Sequence, residues 1–530
     1  MAETHKKEVT KAEELAKNQR EISVSEFFTK NRHLLGFDNP RKALLTTIKE
    51  AVDNALDACE EAKILPDIYI EINQKGEDRF HVTVQDNGPG IVKEQIPRIF
   101  AKLLYGSKFH TMKQSRGQQG IGISAAAMYG QLTTGKSVKI TSKIGPKRPA
   151  NYYELHLDTQ KNEPEINKDT EIEWFPDHGT KVEIELEAKY QKGRQGVDEY
   201  LKQTAIANPH VKIVYKDPEN QTMEFPRVTK DLPIEPKEIK PHPHGIELGI
   251  LMKMLRGTKA STLQSFLTND FSRVSPKVAK EICEKAKVYE KSRPGRIAAQ
   301  EADNLWNAIK ETKIMAPPTN CLSPIGEDLI LKGLKKEINA DFYAAVTRPP
   351  AVYRGNPFLV EVGIAYGGEI PGDELIRVIR FANRVPLLYQ QGACGTTKSI
   401  MSTAWKNYGI PQSKGALPSG PAVLMVHIAS VWVPFTSESK EAIAHYPEII
   451  KELKLALQEV GRKLATYVRK KRLAEHESKK KSYIEKYLPH IGIGLKEILD
   501  LKEPEEKKML EILKDTLERS RDKDEGSLSN

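Results

Sequence analysis

Apolar residues occupy every second position at Ile68, Ile70 and Ile72 and again at Phe80, Val82 and Val84, the period of strands with one face on a core. Just upstream the period changes. Leu45, Ile48, Val52 and Leu56 recur at helical spacing, which predicts an amphipathic helix beside those strands. Helices and alternating strands interleave in this way up to about Glu235. The Pro-rich stretch from Asp231 to His244 then predicts a linker. From about Gly245 to Ala316 the pattern is helical, with Leu248, Leu251, Met252 and Leu255 on one face. Strand-like runs return from about Tyr343 to Pro434, among them Phe358–Ala365 and Leu375–Phe381. A helix is predicted from about Tyr446 to Arg472, followed by a Lys/Glu-rich helical tail and a short polar end, Asp522–Asn530, that reads as disordered. No internal repeat is present.

One segment imitates a membrane span, because Gly415–Ser437 contains no Lys, Arg, Asp or Glu. Pro418, Pro421 and Pro434 interrupt it, and the apolar part between them is too short to cross a bilayer. The β-branched run Val423–Trp432 predicts a buried strand instead. A chain of 530 residues exceeds one hydrophobic core, so about three or four domains are expected. The expected boundaries are 1–235, 236–316, 317–472 and 473–530. With 39% hydrophobic and 29% charged residues the composition is that of a soluble globular protein. A net charge of +10 suits an acidic partner such as nucleic acid, and an ordinary Lys-rich surface equally well. Cys59, Cys283, Cys321 and Cys394 show no CxxC spacing, so neither a zinc site nor a disulfide framework is expected. The charged N-terminus does not read as a signal peptide, and a reducing cytoplasm is the simplest compartment. His242 and His244 could ligate a metal, but no other ligands stand nearby.

Three motifs carry chemistry. On the predicted helix, Glu50, Asn54 and Asp57 fall on the side opposite the apolar stripe. Alone, they read as a solvated polar face. Next, a strand ends in Asp86-Asn-Gly88-Pro-Gly90, where an acid precedes glycines that let a flat ligand approach the backbone. An ordinary Asp-Asn-Gly turn is the plain alternative. Third, Gly117-Gln118-Gln119-Gly120-Ile121-Gly122 opens a small-residue helix beginning Ile123-Ser124, and free N–H groups at such a start favour an anion. A decoy follows: Gly130-Gln-Leu-Thr-Thr-Gly-Lys136-Ser137 matches the P-loop letter for letter. A P-loop must follow a strand and open a helix. Here a helix precedes and a strand follows, so the segment is predicted to be a helix-to-strand turn.

The order ExxxNAxDA, DxGxG, GxxGxG resembles the GHKL ATPase superfamily of gyrase, heat-shock chaperones, histidine kinases and MutL. The resemblance implies an α+β multidomain chain whose first domain is a mixed sheet with helices on one face. It implies Glu50 as general base and catalytic residue, and Asn54 as the Mg²⁺ ligand. Asp86 would accept from the adenine amino group, with Gly88 and Gly90 beside it. Gly117 through Ser124 would wrap the phosphates of ATP, and Ser107, Lys108 and Thr180 match further nucleotide contacts.

Further stretches resemble the topoisomerase VI B-subunit family within that superfamily. Ser25–Asn31 with Gly36–Pro40 is similar to its N-terminal strap, and the helical insert to its helix-two-turns-helix domain. Leu322–Asp328 and Arg380–Pro386 resemble its transducer, a βαβ unit like those of ribosomal proteins. Pro434–Ile443 resembles its switch-lysine loop, which implies that Lys440 reaches the γ-phosphate and takes part in catalysis. The resemblance implies a heterotetramer of two A and two B subunits, with DNA cleavage on A, dimerisation of B on ATP binding, double-stranded DNA as substrate and a cytoplasmic, nucleoid-associated place. Leu388–Ser402 and the helical C-terminal tail fit the family pattern less closely. The rival readings are another GHKL ATPase, such as a MutL-like repair factor or chaperone, and a non-catalytic nucleotide-binding clamp.

Overall fold

The computed structural model describes residues 11–108, 111–117, 120–437 and 439–499, and beyond these 502, 504–505, 507–509 and 511–515. The predicted polar end at Asp522–Asn530 lies outside the described residues. Two compact units are present: the described residues to Ala404 with Ile410–Val460, and Trp405–Gly409 with those from Gly461 onward.

The first unit opens with a short helix, Lys11–Lys17, and a second, Val24–Lys30, whose N-cap Ser23 accepts from the Glu26 N–H. Ser23 and Ser25 both donate to the Thr159 carbonyl, which ties this segment to a distant hairpin. A longer helix, Pro40–Glu61, follows. Asn39 caps it and Pro40 occupies its first turn, where a missing N–H costs nothing. Its predicted stripe of Leu45, Ile48, Val52 and Leu56 is buried. Each such side chain contributes roughly 1.5–3 kcal/mol.

Beneath it lies an eight-stranded sheet built from β1 (Asp67–Gln74), β2 (Arg79–Asp86), β3 (Val138–Lys143), β4 (Ala150–Asp158), β5 (Glu163–Ile172), β6 (Gly179–Glu187), β7 (Lys212–Lys216) and β8 (Thr222–Phe225). The order is β5-β4-β3-β6-β2-β1-β7-β8, and only β1 and β7 run parallel. Ile68, Ile70 and Ile72 are buried while Tyr69, Glu71 and Asn73 remain partly exposed, as the alternation predicts. Helices Pro40–Glu61, Gly122–Thr134 and Val197–Ala207 share one core with the buried residues of these strands. The P-loop look-alike is a helix-to-strand turn: the helix ends at Thr134, Gly135 is left-handed at φ +69°, Lys136 is exposed, and β3 begins at Val138.

The helical insert holds Leu248–Gly257, Leu263–Asp270, Pro276–Ala286 and Ala299–Glu311 around its own core, centred on Leu251, Leu263, Phe266, Ile282 and Leu305. His242 and His244 are structural. His242 Nδ1 accepts from the His244 N–H, so its Nε2 donates to the Met315 carbonyl at 3.0 Å. His244 Nε2 meets the Ile309 and Thr312 carbonyls at 3.1 Å, fastening the linker to the end of the last insert helix. No group of His, Cys, Asp and Glu able to hold a metal occurs among the described residues, and all four cysteines are free and buried.

A second sheet comprises β9 (Phe342–Thr347), β10 (Ala351–Tyr353), β11 (Asn356–Tyr366), β12 (Arg377–Ala382), β13 (Val385–Pro386) and β14 (Ala422–Ser430), in the order β10-β11-β14-β12-β13, with β9 also on β11. The charge-free run is β14, buried along its whole length between β11 and a parallel β12. Helix Glu327–Glu337 packs on this sheet and on Val197–Ala207. The backbones approach so closely that a Cβ at Gly333 would lie 2.5 Å from the Ile206 carbonyl oxygen. Glu361 of β11 is fully buried yet satisfied, accepting from Ile325 N, Gly326 N, Thr347 Oγ1 and His427 Nδ1. Burial raises its pKa, but His427 and the Ile325 and Gly326 N–H groups outweigh that and pull it down to about 2.

The sequence places the last helix at about Tyr446–Arg472; it spans Pro447–Leu499. Residues 473–486 contain neither Gly nor Pro, so the helix continues past Arg472, and it runs on through Pro489. In the second unit, Gly461 passes over the Tyr408 ring, where a Cβ would meet Cδ2 at 2.5 Å.

Candidate functional site

A cavity of about 570 Å³ opens in the first unit, large enough for a nucleotide. Helix Pro40–Glu61 supplies Glu50 and Asn54, Asp86 ends β2, Thr180 is the second residue of β6, and Gly117, Gly120, Ile121, Gly122 and Ile123 come from the glycine segment. Ser107, Lys108, Gly90 and Lys440 complete the predicted residues in its wall. Gly88 and Ser124 do not line it. Gly88 donates its N–H to Asp86 Oδ1 and its carbonyl accepts from His178 Nδ1. Ser124 is turned inward and donates to the Ile121 carbonyl. Gln118 and Gln119 lie outside the described residues.

Glu50 and Gly122 fit against each other. A Cβ at Gly122 would fall 1.7 Å from Glu50 Oε2 and 2.4 Å from Cδ, so the carboxylate rests where a side chain would otherwise stand. Asn54, one turn further, is exposed. Asp86 Oδ1 accepts from the Gly88 N–H at 2.8 Å and the Thr180 N–H at 3.1 Å, which fixes the carboxyl at the cavity wall. Desolvation pushes its pKa up to about 6, although both N–H groups and His178 oppose the rise. Gly90 is left-handed at φ +73°, and a Cβ there would lie 2.1 Å from the Lys143 carbonyl oxygen, so no other residue fits this turn.

The polar face of the helix is solvated only in part, at Asn54. Asp57 is buried and binds Lys108 Nζ at 2.5 Å and Arg116 Nη1 at 2.7 Å. Lys108 thus stands in the cavity wall but is engaged by Asp57 and Glu61. Burial lowers its pKa, and these carboxylates raise it further than burial lowers it. Arg116 also holds both oxygens of Glu60 and the amide oxygen of Asn208, and His210 meets Glu60 at 2.8 Å. Burial disfavours the Glu60 charge, yet Arg116 and His210 hold its pKa well below the usual range. Asp53, next to Asn54, is bonded by the Tyr200 hydroxyl at 3.3 Å and is pushed by burial up to about 7.

Lys440, left-handed at φ +54°, lines the cavity from the loop that follows β14. Its neighbour Glu441 anchors the loop: Glu441 Oε1 lies 2.6 Å from Lys42 Nζ, on the helix that carries Glu50, and Oε2 accepts from Gln390 Nε2 at 2.8 Å. Lys42, Arg116, Glu60, Asn208 and Glu441 escaped the sequence reading. The pair Asp57 and Glu60 at helical spacing, with a lone arginine before the glycine run, is the only signal that could have raised Arg116. Nothing local marks Glu441.

Residues 39–190 match the family of histidine kinase-, DNA gyrase B- and HSP90-like ATPases, and residues 317–481 match the topoisomerase VI B subunit transducer family. The fold is therefore that of a GHKL ATPase joined to a transducer domain. Similar curated proteins, each named as the B subunit of type 2 DNA topoisomerase 6, occur in Methanococcoides burtonii, at 55% identity over 92% of this chain and 79% of that protein, and in Methanosarcina barkeri, at 54% over 94% and 80%. A more distant one in Natronomonas pharaonis is 38% identical over 92% and 84%. The chain belongs to the family of type 2 DNA topoisomerase 6 B subunits.

Proposed function

We propose that the cavity takes ATP together with Mg²⁺, that Glu50 activates the water that attacks the γ-phosphorus, and that Lys440 reports whether the γ-phosphate is present. The observation that carries this reading is the Glu50 carboxylate seated against Gly122, at the start of a thirteen-residue helix whose N-terminus favours phosphate. In the reaction the water oxygen bonds to phosphorus, its proton passes to Glu50, and the bond to the ADP oxygen breaks. General-base help of this kind is worth roughly 10²–10⁴-fold. Asp86 would take the adenine amino group. The amide oxygen of Asn54 suits a hard cation that the phosphates and water mostly carry, and that cation would offset phosphate charge.

Partners follow from family membership. A DNA-cleaving A subunit would join this chain in a heterotetramer of two A and two B subunits. ATP would dimerise the B subunits around one double-stranded DNA segment, and hydrolysis would reset the transducer. The net charge of +10 favours DNA without selecting a sequence. Among the described residues no helix is long and apolar enough to cross a membrane, and the cytoplasm, at the nucleoid, is the proposed place of action.

Steady-state ATPase with and without DNA, for wild type and Glu50→Ala, tests the assignment. The variant should keep nucleotide binding and lose nearly all turnover; unchanged turnover would refute the role of Glu50. Supercoil relaxation should require added A subunit.

A further inference from the structure

The hairpin between β12 and β13 turns through Asn383 and Arg384, at φ +48° and +69°, as a two-residue hairpin demands. Asn383 is buried, and every polar atom of its side chain is engaged. Its Nδ2 donates to the Ser430 carbonyl at the end of β14 and, at the same 2.9 Å, to the Ser115 carbonyl. Its Oδ1 accepts from the Ser430 N–H. Ser115 stands two residues before Gly117, which lines the nucleotide cavity. A transducer side chain therefore holds the backbone that leads into the phosphate-binding segment.

The next residue, Arg116, is clamped from the opposite side by Asp57 and Glu60, on the helix that carries Glu50 and Asn54. Ser115 and Arg116 are thus fixed at two points, one on each domain. The transducer side of this clamp is stiff. The Arg384 N–H donates to His427 Nε2 at 3.0 Å, and His427 Nδ1 donates to the buried Glu361 at 2.8 Å. Arg384 Nη2 also reaches the Pro324 carbonyl at 2.9 Å. The hairpin moves with its sheet, so any shift of the sheet either carries Ser115 along or strands buried hydrogen-bonding groups, which is costly.

We propose that Asn383 is a positioning residue for the nucleotide site: acting through Ser115, it presets Gly117 for the triphosphate and transmits the transducer's position there by a route separate from Lys440. This inference rests on the reading of Gly117–Gly122 as the phosphate-binding segment. Asn383→Gly keeps the left-handed turn and removes only the side chain. On the full chain, affinity for a non-hydrolysable ATP analogue should fall about tenfold, the loss of roughly one buried hydrogen bond. ADP affinity should change less than about twofold. Amide exchange over residues 111–117 should quicken, and the same loss should appear in a Lys440→Ala background. Triphosphate affinity within about twofold of wild type, or an equal loss for ADP, overturns the proposal. If the glycine variant does not fold, Asn383→Asp carries the test with the same expected signs, because it keeps the turn and the acceptor for Ser430 but loses both donors. Failure of the wild-type chain to bind the analogue would instead overturn the reading of the nucleotide site, and this proposal with it.

Discussion

Gly122→Ala isolates the placement of the Glu50 carboxylate, the proposed general base. The added methyl would lie 1.7 Å from Glu50 Oε2, so the carboxylate must withdraw by at least about 1.3 Å to reach the 3.0 Å below which Cβ contacts essentially do not occur. Glu50 can rotate away, because its end is flexible, and the fold therefore survives. Gly122 is the first residue of its helix and has no positive φ, so alanine fits the backbone and leaves stability unchanged or slightly higher. Misplacing a catalytic group by about 1 Å costs on the order of 10²-fold in rate. The expected result is kcat lowered about a hundredfold, ADP binding within about threefold of wild type, and an unchanged melting temperature. Coupled-enzyme ATPase, calorimetric ADP binding and a thermal melt read the three quantities. Turnover within about threefold of wild type in a variant that binds ADP would refute the claim that Glu50 must sit against Gly122.

Asp86 has its pKa raised from 3.8 to about 6, so it is an anionic acceptor above that pH and protonated below it. Affinity for an ATP analogue should fall by up to about tenfold per pH unit below 6, whereas Asp86→Asn should bind weakly and without that dependence; a flat wild-type profile from about pH 5 to 7 would refute the role. Lys136→Ala should leave ATPase activity within about twofold of wild type, since Lys136 is exposed on a helix-to-strand turn, and loss of nucleotide binding in the folded variant would overturn that reading.

What was legible in the sequence is what local periodicity and backbone chemistry dictate. The stripe through Leu45, Ile48, Val52 and Leu56 and the alternation in β1 and β2 report burial directly, because each face meets a single core. The glycines at 90 and 122 mark places where backbone or a carboxylate comes too close for a side chain. Asp57 shows where this logic stops. Its spacing puts it on a polar face, and that face is polar, but Arg116, fifty-nine residues away, takes Asp57 itself out of water. Burial by a distant ion partner leaves no period behind. The extent of the last helix was equally illegible, since it runs through Pro489, a residue that ordinarily ends or kinks a helix.

The transducer meets the nucleotide cavity at more than the lysine tip. Lys42 and Glu441 are both largely shielded from water, their side chains 12% and 9% exposed, so their attraction is screened far less than that of a surface pair. Lys42 lies about two turns before Glu50 on the same helix, and Glu441 follows Lys440 directly. Any motion that withdraws Lys440 from the cavity must therefore also part Lys42 from Glu441 or bend the loop between Pro434 and Ala444, which is closed by Thr436 N to Ala442 O and Ala444 N to Pro434 O. A single Lys440–phosphate contact would have to overcome both to act alone. The γ-phosphate signal is consequently expected to travel through the loop as a unit, with the Lys42–Glu441 pair setting how far the loop can yield.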